Sequence, residues 1–212
     1  MPDISLDSGF KQTNLPEGLI YIENFIEDTY AQQLIEFLEK SNESNEKKDL
    51  KKRCVKHFGY EFRYGTNDCD ETQPLTDPDL RMPSVCSKLI EKLLSEKLIK
   101  NPPDQMTVNY YEPGNGIPPH IDNVTAFDEF IVSVSLCSSV VMEFRQAETK
   151  KFAKLNLEPN SILVLKGDAR YNWSHLIAAR KHDLLLNKDQ VITVKRREKR
   201  ISLTFRKVSR TF

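Results

Sequence analysis

The chain has 212 residues, its 31 basic and 31 acidic side chains cancel to a formal net charge of zero, and 39% of its residues are hydrophobic. That length favours one domain with a substantial core, and the charge balance excludes a global field that would draw the chain onto a polyanion. No apolar run approaches a membrane span, and the scattered Cys54, Cys69, Cys86 and Cys137 form neither a C-x-x-C pair nor a disulfide framework.

The first third reads mainly as helices and loops. Met1–Asn14 is polar, lacks an apolar signal core or an arginine-rich transit pattern, and is expected to be the flexible tail of a cytosolic or nuclear protein. Asp28 can cap a helix that runs to about Lys40, because Tyr30, Leu34 and Leu38 repeat along one apolar stripe. Residues 41–53 are too hydrophilic for a core and predict a mobile loop. Pro83 fits the first turn of a second helix, with Val85, Leu89 and Leu93 on one side and Ile90 and Leu94 beside them. Both helices need something larger to pack against.

That larger element begins near Met106, where β-rich runs alternate with turn residues. Strands are predicted over Met106–Tyr111, Phe130–Leu136, Val140–Arg145, Phe152–Leu157, Ser161–Leu165 and Ile201–Val208. Pro113-Gly114-Asn115-Gly116 and Glu158-Pro159-Asn160 supply turns. The fold class is therefore mainly β with flanking helices, a sandwich or jelly roll whose rim suits a metal site.

Three polar residues define that site. His120 and Asp122 are two apart, so in an extended segment they share a face and can address one ion. Two histidines and a carboxylate hold non-haem Fe(II) on one face and leave its other positions open. His57, His175 and His182 compete for the third position. His175 is preferred because Arg170-Tyr-Asn-Trp-Ser-His175 is the more β-like context.

Arg200 and Arg206 provide a second constellation. Even spacing along a strand puts both on one face with α-carbons roughly 20 Å apart, and guanidinium heads leaning together leave a gap on the order of 8 Å. That gap suits a small dicarboxylate held at both ends. Asn109 and Tyr111 share a strand face just before the metal pair and offer directional hydrogen bonds to carboxylate oxygens. Two basic clusters, Lys51-Lys52-Arg53 and Lys195-Arg196-Arg197, are candidates for nucleic-acid contact or ordinary solvated surface.

Taken together, Asn109-Tyr-Tyr111-Glu-Pro-Gly-Asn-Gly-Ile-Pro-Pro-His120-Ile-Asp122, Trp173-Ser-His175 and Arg200-Ile-Ser-Leu-Thr-Phe-Arg206 resemble the AlkB family of Fe(II)- and 2-oxoglutarate-dependent dioxygenases. The upstream words Arg53-Cys-Val-Lys-His57-Phe-Gly-Tyr60-Glu-Phe and Pro103-Asp-Gln-Met-Thr-Val-Asn109 are similar to its AlkB homologue eight branch, which hydroxylates modified wobble uridines in tRNA. The resemblance covers roughly residues 15–208.

The resemblance implies a double-stranded β-helix with N-terminal helices packed on it, spanning residues 1–212 as one domain. It implies iron held by His120, Asp122 and His175, with 2-oxoglutarate and O2 as co-substrates. Arg200 and Tyr111 would take the distal carboxylate, while Arg206 and Asn109 serve the end nearer the metal. The family's nucleotide-recognition lid falls at Lys56–Tyr60, so Tyr60, with Arg170 and Trp173, is expected to shape a substrate pocket. The implied reaction is hydroxylation of 5-methoxycarbonylmethyluridine in tRNA. Oxidative N-demethylation of nucleic acid or protein is the alternative, and a non-catalytic binding module ranks last. The chain carries neither the RNA-recognition motif nor the methyltransferase that accompany that branch, so a separate subunit of either kind is an expected partner beside tRNA. With Asn123 and Val124 after the His-x-Asp pair, and no cysteines after Arg206, no structural zinc is expected.

Overall fold

The computed structural model describes residues 15–41, 48–50, 53–63, 68–69, 74–186 and 192–209. The tail predicted over residues 1–14 and the pair Lys51-Lys52 lie outside them. In chain order the first elements are β1 (Leu19–Ile22), α1 (Asp28–Ser41), β2 (Lys48–Leu50), β3 (Arg53–Phe58), β4 (Phe62–Arg63), β5 (Asp68–Cys69) and α2 (Ser87–Ser95). Then come β6 (Gln105–Tyr111), β7 (Ile117–His120), β8 (Phe127–Leu136), β9 (Val140–Gln146), β10 (Phe152–Leu157) and β11 (Ile162–Leu165). The last are α3 (Gly167–Tyr171), β12 (Trp173–Ile177), β13 (His182–Leu186), β14 (Ile192–Arg196) and β15 (Arg200–Val208).

A seven-stranded sheet, in the order β1-β11-β8-β15-β6-β3-β2, faces a four-stranded sheet in the order β10-β9-β12-β7. Their pairings are antiparallel, as a jelly roll requires. Alternation along the strands divides the labour between the faces. Met106, Val108 and Tyr110 of β6, with Ile201, Leu203 and Phe205 of β15, belong to the core shared with both long helices. Their neighbours Thr107, Asn109, Tyr111, Ser202 and Thr204 line a cavity on the other face.

Helix α1 follows its predicted stripe: Tyr30, Ala31, Leu34 and Leu38 are buried. Each leucine removed from water there stabilises the fold by about 1.5–3 kcal/mol. The Tyr30 hydroxyl donates to Val85 O at 2.6 Å and accepts from Leu89 N at 3.2 Å, satisfying an amide in the first turn of α2. Burial pushes its pKa up to about 12, which keeps that donor proton in place. Pro83 precedes a short 3-10 turn over Ser84–Cys86 that leads into α2, so the second helix begins later than its proline implied.

The first third departs most from expectation. β1 and β3 are strands of the main sheet, and Lys48–Leu50, inside the stretch predicted as a mobile loop, pairs with Arg53–Val55. Charge hid β3, because Lys56 is only 2% exposed and donates from Nζ to Ser41 O at 2.7 Å. β1 was too short to show a period.

The pairing of β12 with β7 positions the site described next, and one glycine permits it. A Cβ on Gly116 would lie 2.3 Å from Ile177 O and 2.9 Å from Ala179 N, both backbone atoms. Gly116→Ala is expected to push β7 away from β12 and lower the melting temperature by several degrees, at about 2–4 °C per kcal/mol lost in a chain this size. Differential scanning calorimetry checks this, and an unchanged midpoint would contradict the close approach.

Candidate active site

His120 ends β7 and is paired directly with His175 of β12, the two rings 4.3 Å apart between centroids. Asp122 follows two residues later, with its Oδ2 3.7 Å from His175 Nε2. One ligand atom from each of the three lies within 4.8 Å of the other two, close enough to grip a single ion. His57 and His182 stay outside: His57 sits on β3 against Thr107, and His182 begins the β13–β14 hairpin.

The protonation states suit a metal. Nδ1 of His120 is 2.9 Å from Pro118 O, and a carbonyl only accepts, so that nitrogen carries a hydrogen and Nε2 is the one left to serve as a ligand. Burial, reinforced by the charge of His120, lowers the His175 pKa from 6.5 to about 3, so its imidazole is neutral at neutral pH. Burial works against the Asp122 charge, but Arg206, aided by both histidines, holds its pKa well below the usual carboxylate range. A neutral His175 and an ionised Asp122 are the forms that bind a divalent cation.

Asp122 is fixed on two sides. Arg206 donates to its Oδ1 from Nε at 2.8 Å and holds Nη2 in ion-pair contact with the same oxygen at 2.6 Å, leaving Oδ2 on the histidine side. Arg170 donates from Nη1 to the carbonyl of Asp122 and from Nη2 to that of Asn123, both at 2.8 Å. The Asn123 side chain then caps the loop, accepting from Thr125 N and Ala126 N.

A cavity of about 260 Å³ opens from these ligands along the inner face of β15. Arg200 lies in its wall, 2% exposed, with Nη2 donating to Ser135 Oγ at 2.9 Å and the guanidinium 5.3 Å from the centre of the Tyr111 ring. Its Nε and Nη1 are buried without a hydrogen-bond partner among the described residues. Burial draws the Arg200 pKa below its ordinary value, which is the cost of a desolvated cation. Each unmet donor costs about 1–3 kcal/mol, and an entering carboxylate would satisfy one of them and neutralise the charge. Ile131, Met142, Leu163, Leu165 and Ile177 supply apolar walls. An acid group at each end of a short aliphatic chain fits this lining.

The expected residues meet the cavity unequally. Asn109, Tyr111, Arg200 and Arg206 all line it. Arg206 reaches the metal end, but its guanidinium is committed to Asp122, Gln105 and Thr107. Tyr60, Arg170 and Trp173, expected to shape a substrate pocket, do not line the cavity: each is buried. Trp173 packs in the inner core and donates to Asp168 Oδ2 at 2.7 Å, while Arg170 braces the Asp122 loop. Of the basic clusters, Arg53 lines the cavity and donates from Nε to Asn109 Oδ1 at 2.9 Å. Arg197 is buried in an ion pair with Asp183, while Lys195 and Arg196 are exposed. Ser135, Thr107 and Gln105 escaped the sequence reading. The alternation Gln105, Thr107, Asn109, Tyr111 along one strand face was the signal for two of them.

Residues 18–206 match the 2OG-Fe(II) oxygenase superfamily. The chain belongs to that family. Within the superfamily it is an AlkB-type oxygenase of the ALKBH8 kind. It is 41% identical over 210 residues to the mouse tRNA (carboxymethyluridine(34)-5-O)-methyltransferase ALKBH8, a match covering 92% of this chain and 31% of that one. It is 36% identical over 219 residues to the Arabidopsis thaliana alkylated DNA repair protein ALKBH8 homolog, covering 93% and 60%. The chain thus spans about a third of the mouse relative's length. Among solved structures, OsALKBH1 superposes with a TM-score of 0.66 at 18% identity, covering 92% of this chain and all of that one. A Pseudomonas putida prolyl-4-hydroxylase gives 0.56 at 12% identity, covering 90% and 92%. Those neighbours establish the double-stranded β-helix.

As an AlkB-type oxygenase the chain should bind one divalent ion. Anaerobic titration with Co(II) is expected to saturate at one ion per chain, and His120→Ala to weaken that binding at least about 100-fold. Undiminished binding by the variant would remove His120 from the site.

Proposed function

We propose that this oxygenase hydroxylates 5-methoxycarbonylmethyluridine at the wobble position of tRNA. The observation that carries the reading is the 41% identity, over nearly the whole chain, to a protein named for methylating carboxymethyluridine at position 34. Methylation of that carboxylate yields the methoxycarbonylmethyl group, whose CH2 lies between the uracil ring and an ester carbonyl. Such a C–H bond is activated on both sides and is a natural target for an oxygenase of the same kind.

In this reading His120, Asp122 and His175 hold Fe(II), and the buried Arg200 with Tyr111 takes the distal carboxylate of 2-oxoglutarate. Asn109 and Arg206 serve the metal end. Because Arg53 can only donate, the Asn109 atom facing it is the oxygen, and the amide NH2 is left for the cosubstrate. Arg206 acts there chiefly by orienting Asp122. With iron, 2-oxoglutarate and O2 bound, the chemistry supplied is decarboxylation of the cosubstrate to succinate coupled to conversion of a substrate C–H into C–OH. The apolar walls exclude water from the cosubstrate's methylenes, and the metal end is where the nucleoside must be presented. Arg53 and Phe62 line the cavity from the β3–β4 side and are better placed than Tyr60 to meet it. A methyltransferase or RNA-binding subunit would deliver the tRNA.

Mass spectrometry of wobble nucleosides, after incubating the chain with tRNA bearing the methoxycarbonylmethyl group, is expected to show a gain of one oxygen in step with succinate. Formaldehyde release would replace hydroxylation with oxidative demethylation. Arg200→Met is expected to raise the KM for 2-oxoglutarate at least about 30-fold, the effect of about 2 kcal/mol lost from a buried charged contact. An unchanged KM would remove Arg200 from the clamp.

A further inference from the structure

We infer that His57 is a positioning residue for the metal centre, acting on Asp122 through Thr107 and Arg206. Hydrogen-bond directions assign it that role. Thr107 Oγ is met by three neighbours: Gln105 Nε2 at 2.8 Å, Arg206 Nη1 at 3.0 Å and His57 Nδ1 at 3.0 Å. A guanidinium nitrogen can only donate. The same Nη1 also donates to Gln105 Oε1 at 3.1 Å, which fixes the glutamine amide, because the reverse orientation would set its NH2 against another donor. Gln105 therefore donates to Thr107 as well.

A hydroxyl has two lone pairs and one hydrogen. Arg206 and Gln105 occupy both lone pairs, so the Thr107 hydrogen goes to His57. Nδ1 of His57 is consequently an acceptor without a hydrogen, which leaves Nε2 as the ring's protonated nitrogen. The opposite tautomer would aim a third donor at Thr107 and strand its hydroxyl hydrogen.

The chain of contacts is buried and set by strand register. His57 is opposite Thr107 across β3 and β6, and Gln105 is opposite Arg206 across β6 and β15. His57, Thr107 and Gln105 are 7%, 3% and 0% exposed. With Nη1 held by Thr107 and Gln105, the guanidinium plane of Arg206 is fixed, and its Nε and Nη2 meet Asp122 Oδ1. That leaves Oδ2 as the oxygen for the metal. Strand β3, one in from the sheet edge, thus governs the presentation of a ligand it never touches, whatever the enzyme's substrate.

Groups that orient a metal ligand from outside typically change metal affinity by 10–100-fold when removed. Anaerobic Co(II) titrations of the full chain are expected to show about tenfold weaker binding for His57→Leu and for Thr107→Val, which keeps the side chain's shape. His57→Asn, which retains an acceptor near Nδ1, is expected to stay within about threefold of the parent. The double variant should bind no more weakly than either single one, because both break the same relay. Nitrogen-15 NMR of the imidazoles in the metal-free parent reads the tautomer without any substitution. Protonation of His57 at Nδ1 overturns the inference, as does parental affinity in Thr107→Val, or a His57→Asn chain as weak as His57→Leu.

Discussion

The pair formed by Arg206 and Asp122 is the constraint on which the rest of the site turns. A buried carboxylate without a partner would take up a proton and lose its value as a ligand. Arg206 keeps Asp122 ionised before any metal arrives, and by taking Oδ1 it also decides which oxygen remains. An aspartate held through one oxygen offers a metal the other, so only one coordination position is spent on it. Breaking such a pair by removing one partner typically costs about 3–5 kcal/mol, because an uncompensated charge is left behind. The guanidinium is secured in turn by Thr107 and Gln105, and the aspartate backbone by Arg170.

The jelly roll makes this arrangement affordable in packing terms. A strand exposes alternate side chains to opposite faces, so β6 and β15 can contribute one set to the helix-covered core and the other to the cavity. Met106, Val108, Leu203 and Phe205 are fully buried between sheet and helices, and hold the strands whose opposite faces carry the polar set. The two histidines come from the second sheet, where direct pairing of β7 with β12 fixes their separation by backbone hydrogen bonding. The candidate metal ligands thus arrive from the four-stranded sheet and the loop after β7, and the two cavity arginines from the seven-stranded one. The cavity is the space between them.

That division also explains what the sequence made legible. His120-x-Asp122 and the even spacing of Arg200 and Arg206 follow the two-residue period of a strand, and both constellations converge on one cavity. Helix α1 was readable from a stripe of single residues, and six strands from β-rich runs between turns. β3 was not, because Lys56 is buried with its charge satisfied by a backbone carbonyl, a tertiary contact that leaves no trace in local pattern. The contact of His57 with Thr107 is hidden for the same reason. Arg170 and Trp173 do not line the cavity, because nearness to His175 along the chain is not nearness to it in space. α3 turns Arg170 toward the carbonyls of the Asp122 loop, and Trp173 points into the core. A long polar side chain near a site has two outlets, substrate and scaffold, and only the fold distinguishes them.

Arg200 shows how the fold stores the capacity to bind. Its guanidinium is buried with two nitrogens unsatisfied, an arrangement that destabilises the protein alone and is sustained by the packing around it. A ligand carboxylate relieves that penalty without reorganising the wall, since Ser135 and the Tyr111 ring already fix the orientation. The gain on binding therefore includes the desolvation cost met during folding, and it falls only to a ligand that brings negative charge to that depth. At the other end Asp122 has already neutralised Arg206, so the local charge changes most when a metal enters. A dianion chelating such a metal completes both ends at once, whereas a monoacid leaves either Arg200 or the metal unmatched. Selectivity for a short diacid then follows from where the two positive charges are left uncompensated, and the apolar walls between them set its length.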